Sequence, residues 1–265
     1  MSNYSPNVNN YQVAKGVLYF DRYDDNGDLT GELDLGNDPS FALSPNIENL
    51  EHFSSRDGIK RKDKVAVIQA SVNGKFTLDE INYDNLALIF MGGDTSYFTQ
   101  TGATVTNEAI TAHVGKHVKL QYRKLTDGTV VITDSTGMTT YIEDTDYSVD
   151  YTTGRIKAIV GGNITEGEDL FVDYTYESCS YPVVNIADSP EITGLLRFKG
   201  DCTLGYDFEI VLWKIKLTPT GDVNFISEGW NQVEFNFEGL DDTANHPTSP
   251  WGQIIDIEGD TVVVS

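Results

Sequence analysis

Positive charge is scarce in this sequence. Of 265 residues only 18 are Lys or Arg, against 41 Asp and Glu, a formal net charge of −23. Such a polyanion is repelled by DNA, RNA and anionic bilayers, so unaided binding to any of them is not expected. Cysteine is nearly absent: Cys179 and Cys202 are the only two, which excludes a disulfide scaffold and suits a reducing cytosol, while one bridge stays open. No long apolar run exists. The longest, "LALIFM" from Leu86 to Met91, falls far short of the ~20 residues a membrane helix needs. The opening "MSNYSPNVNN" has neither a basic n-region nor an apolar h-region and reads as a flexible arm, residues 1–10. The expected place is therefore the cytosol, or a particle assembled there. Also missing are a G-x-S-x-G elbow, a glycine-rich phosphate loop and a Cys/His catalytic setting, so the expectation is a protein that is not an enzyme.

Aromatic residues are plentiful. Twelve Phe, 14 Tyr and 3 Trp in a chain that is 39% apolar supply enough for a sizeable core. Short runs rich in Val, Ile, Thr, Tyr and Phe recur between Gly, Asn and Asp clusters, the spacing of an antiparallel sandwich or barrel. Gly16–Tyr23 and the run starting at Leu29 flank "DDNGD", where Asn26-Gly27 signals a type I′ hairpin. "SFALSPNIENLEHFSS" is a second extended stretch, and Asp63–Leu78 reads as a third, hairpin-like one. One helix is predicted over Tyr83–Met91, with Asn82 as N-cap, Leu86, Ile89 and Phe90 on its apolar face and Gly92 as its stop. The predicted fold is mainly β, a sandwich or barrel core with one short α-helix and a small all-β insertion. The core takes residues 11–120 and 178–243. The turn-rich, acidic segment 121–177, with turns at Asp127-Gly128, Thr153-Gly154 and Glu166-Gly167, is the insertion. Residues 244–265 read as a C-terminal arm laid on a neighbour. Glu209, Val211, Trp213 and Ile215 alternate with Phe208, Ile210, Leu212 and Lys214; apolar groups on both faces predict cover from a second sheet and from another subunit.

Candidate chemistry is thin. Placing Gly27 at position six of an EF-hand puts Arg22 at position one and Leu33 at position twelve, where neither ligates, so the loop reads as a plain turn. His113 and His117 stand four apart, but no Glu follows His113 and Gly115 opposes a helix, so no metal is expected. No cofactor is expected either. Trp213 and Trp230 fall at core positions and read as packing residues. The one anomaly is "RDGIKRKDK": Arg56, Lys60, Arg61, Lys62 and Lys64 place five of the 18 basic residues within nine positions. A cationic loop on a strongly acidic chain complements an acidic face on another copy. Because the two patches differ, the contact is head to tail and builds rings or filaments.

In sequence order, "KGVLYFDRYDDNGDLTGELDLGNDPSFALSP", "ENLEHFSSRDGIKRKDK", "GKFTLDEINYDNLALIFMGG" and "TGLLRFKGDCTLGYDFEIVLWKIKLTPTGDVNFISEGWNQVEFNFEGLDD" resemble the bacteriophage tail tube (major tail) protein family over about two-thirds of the chain. That resemblance implies hexameric rings whose inner strands join into one barrel. The rings stack around a tape measure protein, and tail terminator and baseplate or tail-tip proteins close the ends of a virion tail assembled in the host cytoplasm. DNA passes through the tube without sequence-specific binding, and no membrane is involved. It further implies that the loop reaching the next ring is Phe53–Lys64, with Ser55, Arg56, Asp57, Gly58, Ile59, Lys60, Arg61, Lys62 and Lys64 as its stacking residues. Three other readings compete: a carbohydrate- or surface-binding β-sandwich, the tube of a related bacterial injection machine, and a β-fold hydrolase with perturbed carboxylates in a pocket.

Overall fold

The computed structural model describes residues 11–56 and 58–257; the expected arm 1–10, Asp57 and residues 258–265 lie outside them. In chain order the elements are β1 (Val13–Tyr23), β2 (Leu29–Asp34), β3 (Ser40–Ser54), β4 (Arg61–Leu78), α1 (Tyr83–Ile89), β5 (Ser96–Gln100), β6 (Ala103–Thr111), β7 (His117–Lys119), β8 (Val131–Asp134), β9 (Tyr147–Asp150), β10 (Arg155–Ala158), β11 (Asp169–Tyr176), β12 (Cys179–Val183), β13 (Ile192–Leu204), β14 (Phe208–Thr220), β15 (Val233–Gly239) and β16 (Gly252–Asp256). The fold is mainly β with one short helix, and it divides into two compact units. One joins the residues up to Thr95 to those from Val184 on; the other is Ser96–Val183.

The first unit is built on one eight-stranded antiparallel sheet in the order β2-β1-β13-β14-β15-β4-β3, with β16 also paired to β14. Strict alternation drives it. In β15, Val233, Phe235 and Phe237 are buried while Glu234, Asn236 and Glu238 are exposed, so a single face is apolar. On that face Phe76 stacks on Phe235 at 5.1 Å, and Phe41 of β3 stacks on Phe198 of β13 at 5.1 Å. Three strands separate β3 from β13 in the sheet, so the sheet rolls up around its phenylalanines. Close approach of these rings explains a strand glycine: a Cβ at Gly74 would run into the Phe237 ring and the Ala42 carbonyl.

Helix α1 packs on this core through Leu88 and Ile89. Asn82 caps it as expected, its Oδ1 accepting from Asn85 N–H at 2.8 Å. The buried face differs from the expected one: Leu86 and Phe90 are only half-buried, whereas Asn85 is fully buried. Asn85 Nδ2 donates to the carbonyls of Leu35 and Glu80, both at 2.9 Å, which ties the helix start to the loops around it. The left-handed residue at the helix end is Met91 (φ 50), not Gly92. Gly92 N–H reaches back to Ala87 O at 2.7 Å and Met91 N–H to Leu88 O at 3.3 Å, a Schellman pair.

Four further expectations change. Asn26-Gly27 is not a type I′ turn, because only Gly27 has positive φ, at 84°; the Asp24 carboxylate organises the turn instead, accepting Asn26 and Asp28 N–H at 2.8 and 2.9 Å. Asp63–Leu78 is not a hairpin of its own but most of one 18-residue strand, β4. In β14 a bulge breaks the register between the pairs Leu212–Leu196 and Ile215–Gly194. Two residues there, Trp213 and Lys214, oppose one, Leu195, so Ile215 moves to the face of Leu212, away from Val211. On the other face the Trp213 ring stacks on His246 of the same chain at 3.9 Å and its Nε1–H donates to Ser249 O at 2.8 Å. Likewise residues 252–256 of the supposed C-terminal arm pair with β14 of the same chain.

The second unit holds three small sheets, β7-β10-β9, β6-β11-β8 and β12-β5. It starts at 96 rather than 121 because β5 pairs with β12 and β6 with β11. Nothing in the polar composition of 96–120 marks that boundary. Its three expected turn glycines, Gly128, Gly154 and Gly167, all have positive φ. Its core mixes Leu120, Ile132, Leu170 and Val172 with Tyr141, Tyr147, Tyr174 and Tyr176. Tyrosine hydroxyls at its margin find carboxylates: Tyr141 donates to Glu168 and Tyr174 to Glu108. Burial, with Glu168 adding, pushes the Tyr141 hydroxyl up to about 12. Asp146 is almost wholly buried, and its carboxylate accepts Asn163 N–H, Asn163 Nδ2–H and Ile142 N–H, each at 2.9 Å. Those donors, Asn163 N–H first, hold its carboxyl below the usual range; the Tyr141 hydroxyl does the same for Glu168.

Two outcomes are expected. Because Ser96 and Val183 are paired neighbours, replacing 96–183 by a short Gly/Ser linker should leave the first unit folded, read by circular dichroism; loss of its β signal would count against this. A carboxyl depressed in the folded state stabilises above its unfolded pKa of about 3.9 and loses that contribution as pH falls through the folded value. Amide exchange in segments 140–147 and 159–170 should therefore accelerate below about pH 4. Asp146→Asn, which removes the charge that three N–H groups address, should accelerate it at pH 7 as well.

Candidate functional site

β3 and β4 are long for different ends of the structure. Near Ser40 and Leu78 they belong to the rolled sheet, with β4 paired to β15 from Val233–Leu78 to Glu238–Asn73. Beyond Asn73, among the described residues, β4 pairs with β3 alone, and the two continue as a ribbon from Pro45–Val72 to Ser54–Arg61. Every residue from Arg61 to Ala70 is exposed, as is every residue from Ser44 to Phe53. A two-stranded hairpin of this length is marginal in water by itself. This one nevertheless carries Ile47, Leu50, Phe53, Val65, Val67 and Ile68 exposed. Bulges at Glu48/Asn49 and His52/Phe53 twist it further.

The expected stacking residues fall at its tip. Ser55, Arg56, Gly58, Ile59 and Lys60 form the connection, Arg61, Lys62 and Lys64 open β4, and Asp57 is outside the described residues. Lys62 pairs with Glu51 across the ribbon, and His52 Nδ1 with Asp63 at 2.5 Å. Among the described residues Arg56, Lys60, Arg61 and Lys64 enter no ion pair, so within that set most of the positive charge at the tip has no ion-pair partner.

Among the described residues both outer strands of the sheet, β2 and β3, bond a neighbour on one side only. Each leaves a row of backbone N–H and C=O groups open to another strand. The outer face of β1 and β13 is instead finished internally: Arg197 joins Glu32 and Glu209, and its guanidinium lies 4.3 Å over the Tyr19 ring.

The sequence also missed a surface. Trp230 is not a core residue; it stands 96% exposed in the 221–232 connection between β14 and β15, beside Ile226 at 97% and Phe225 at 73%. The run "NFISEGWNQ" breaks the strict alternation of β15, and together with its Gly, Ser and Asn content that is the signal for a loop. Other candidates resolve into turns. His113 is in a turn whose Lys116 N–H donates to His113 O at 3.0 Å, with its ring on Glu166, while His117 begins β7. An open cleft of about 790 Å³ is lined by Arg22, Asp24, Asp25, Asp188, Glu191 and Lys214 among others. Its Arg22 is committed to Gly92 O at 3.0 Å and Ser189 Oγ at 2.7 Å, which makes it a brace between loops. Burial, with Asp34 and Asp79 adding, pushes the Asp38 carboxyl up to about 6.

The fold and this surface define a mainly β protein with an open rolled sheet, two unpaired edges and a freestanding cationic ribbon. The chain belongs to the family described as "Protein of unknown function UCP028589", whose family model matches residues 11–257. No curated protein matches it.

In the isolated subunit, brief trypsin treatment should cut first between Arg56 and Lys64 and leave two large fragments. Resistance of that segment while other sites are cut would show that the ribbon is covered.

Proposed function

We propose that this protein is a structural subunit that assembles with copies of itself into a tube, as the subunit of a phage tail tube does. One observation carries the reading: an open antiparallel sheet with both edges free, extended at one end by an apolar ribbon whose cationic tip has little compensation in its own chain. Free edges let subunits continue one sheet around a ring, because each row of unpaired backbone groups finds its complement on the neighbour. Six subunits per ring, a tape measure protein inside, a terminator and a baseplate or tail tip at the ends belong to this reading, as does DNA passing through the finished conduit in the virion tail. The net charge of −23 supports a conduit role, since a wall that repels phosphate does not hold the DNA it conducts. In this reading the chain acts by assembly and performs no catalysis.

Negative-stain microscopy of concentrated protein tests it: six-fold rings or tubes with a central hole are expected, and monomers or closed dimers alone would overturn it. Exposed charges are screened over about 8–10 Å at ordinary ionic strength, so tube length should fall as salt is added. The triple substitution Lys60→Glu, Arg61→Glu, Lys62→Glu should leave the circular dichroism unchanged, because exposed positions cost roughly 0.5 kcal/mol or less, yet stop lengthwise growth.

A further inference from the structure

The register of the sheet places two exposed apolar surfaces at opposite ends of the first unit. β15 runs from Val233, opposite Leu78, to Glu238, opposite Asn73, and the ribbon leaves beyond Asn73. The 221–232 connection closes the other end, just before Val233. This loop is a built feature. Phe225 stacks on Phe90 at 6.0 Å and 8°, which seats it beside α1. Ser227 Oγ bonds with Gly229 O at 2.8 Å and Asn231 Oδ1 at 2.9 Å, which braces its bend. Ile226 and Trp230 are left almost completely exposed, two large apolar side chains in one loop.

The charges at the two ends have opposite sign. The loop carries Asp222 and Glu228 and no Lys or Arg, and Asp24, Asp25 and Asp188 belong to the same end of the sheet, as does Glu191, which pairs with Lys216 at 2.8 Å. The ribbon tip combines exposed Phe53, Ile59 and Val65 with Arg56, Lys60, Arg61 and Lys64. One surface is apolar and acidic, the other apolar and basic. We infer that the 221–232 loop of one copy is the docking site for the 53–65 ribbon tip of another, with Ile226 and Trp230 packed against Ile59 and its apolar neighbours and Asp222 and Glu228 facing Lys60 and Arg61. The inference rests on the head-to-tail assembly proposed above and names the surface that receives the ribbon. Because the two surfaces differ and lie at opposite ends, the contact repeats without closing and points along the strand direction. A stable pair needs roughly 1,000 Å² of buried surface, and rings that stack through several such contacts at once hold together where one contact is weak.

Disulfide trapping tests it. In a chain with Cys179→Ser and Cys202→Ser, one batch carries Ile59→Cys and another Ile226→Cys, both at exposed positions. Mixing the two under oxidation should give a covalent dimer that neither gives alone. In parallel, Trp230 emission, isolated by subtracting a Trp230→Phe variant, should shift to the blue on assembly of the otherwise unaltered chain. Trp230→Ala should raise the concentration needed for assembly by about tenfold or more. Tubes without the mixed disulfide and without the emission shift overturn this contact and leave the tube reading standing. The mixed disulfide and shift without tubes keep the contact and overturn the tube reading. Absence of all three overturns both.

Discussion

An antiparallel sheet that rolls around its phenylalanines but stops before closing must leave two rows of backbone hydrogen-bonding groups open. Everything else in the first unit follows from where those rows lie. β2 ends one edge and β3 the other, and β3 with β4 runs on past the last neighbour as a ribbon. A monomeric β protein blunts such edges with short strands, inward charges or a covering loop. Here the long edge carries exposed Ile47, Leu50 and Phe53, and its end gathers five of the chain's 18 Lys and Arg within nine positions. On these properties rests the proposal that another copy of the chain completes this surface.

The opposite edge of the economy is the outer face of the sheet, which the chain finishes for itself. The Arg197 cluster spans β1, β2, β13 and β14, and the segment after β15 turns back so that Trp213 meets His246 and β16 pairs with β14. Regions that are closed internally and regions that are left open are thus physically distinct, and the contrast is what makes the open ones informative. The second unit is closed in another way, by tyrosine hydroxyls meeting carboxylates and by a buried aspartate saturated with N–H donors. Such a polar lattice specifies one arrangement of short strands whose apolar surface alone is small.

Much of this was legible in the order of residues. Period-two alternation identified the strands, Asn82 the start of the helix, three glycines the turns of the inserted unit, and the run from Arg56 to Lys64 the tip of the ribbon. These are properties of nearest neighbours: a φ angle, a cap or an alternating face depends on a few consecutive residues. Where sequence reasoning failed, the deciding partner was distant. Asn85 gave no signal in the sequence because its acceptors, the carbonyls of Leu35 and Glu80, belong to other loops. Ile215 was assigned to the wrong face because one bulge in β14 shifts all that follows.

The sequence by itself determined a mainly β chain, its strong negative charge and a lone cationic segment, since composition and local periodicity survive whatever the chain packs against. Tertiary structure alone decided that β3 and β4 outrun their sheet, that the inserted unit begins at 96, and that Trp230 stands in solvent while Trp213 is stacked. Each of those outcomes depends on which strand pairs with which and where the pairing stops. Pairing is set by contacts between residues far apart in sequence, and an alternating run has the same pattern whether its apolar face meets a core or meets water.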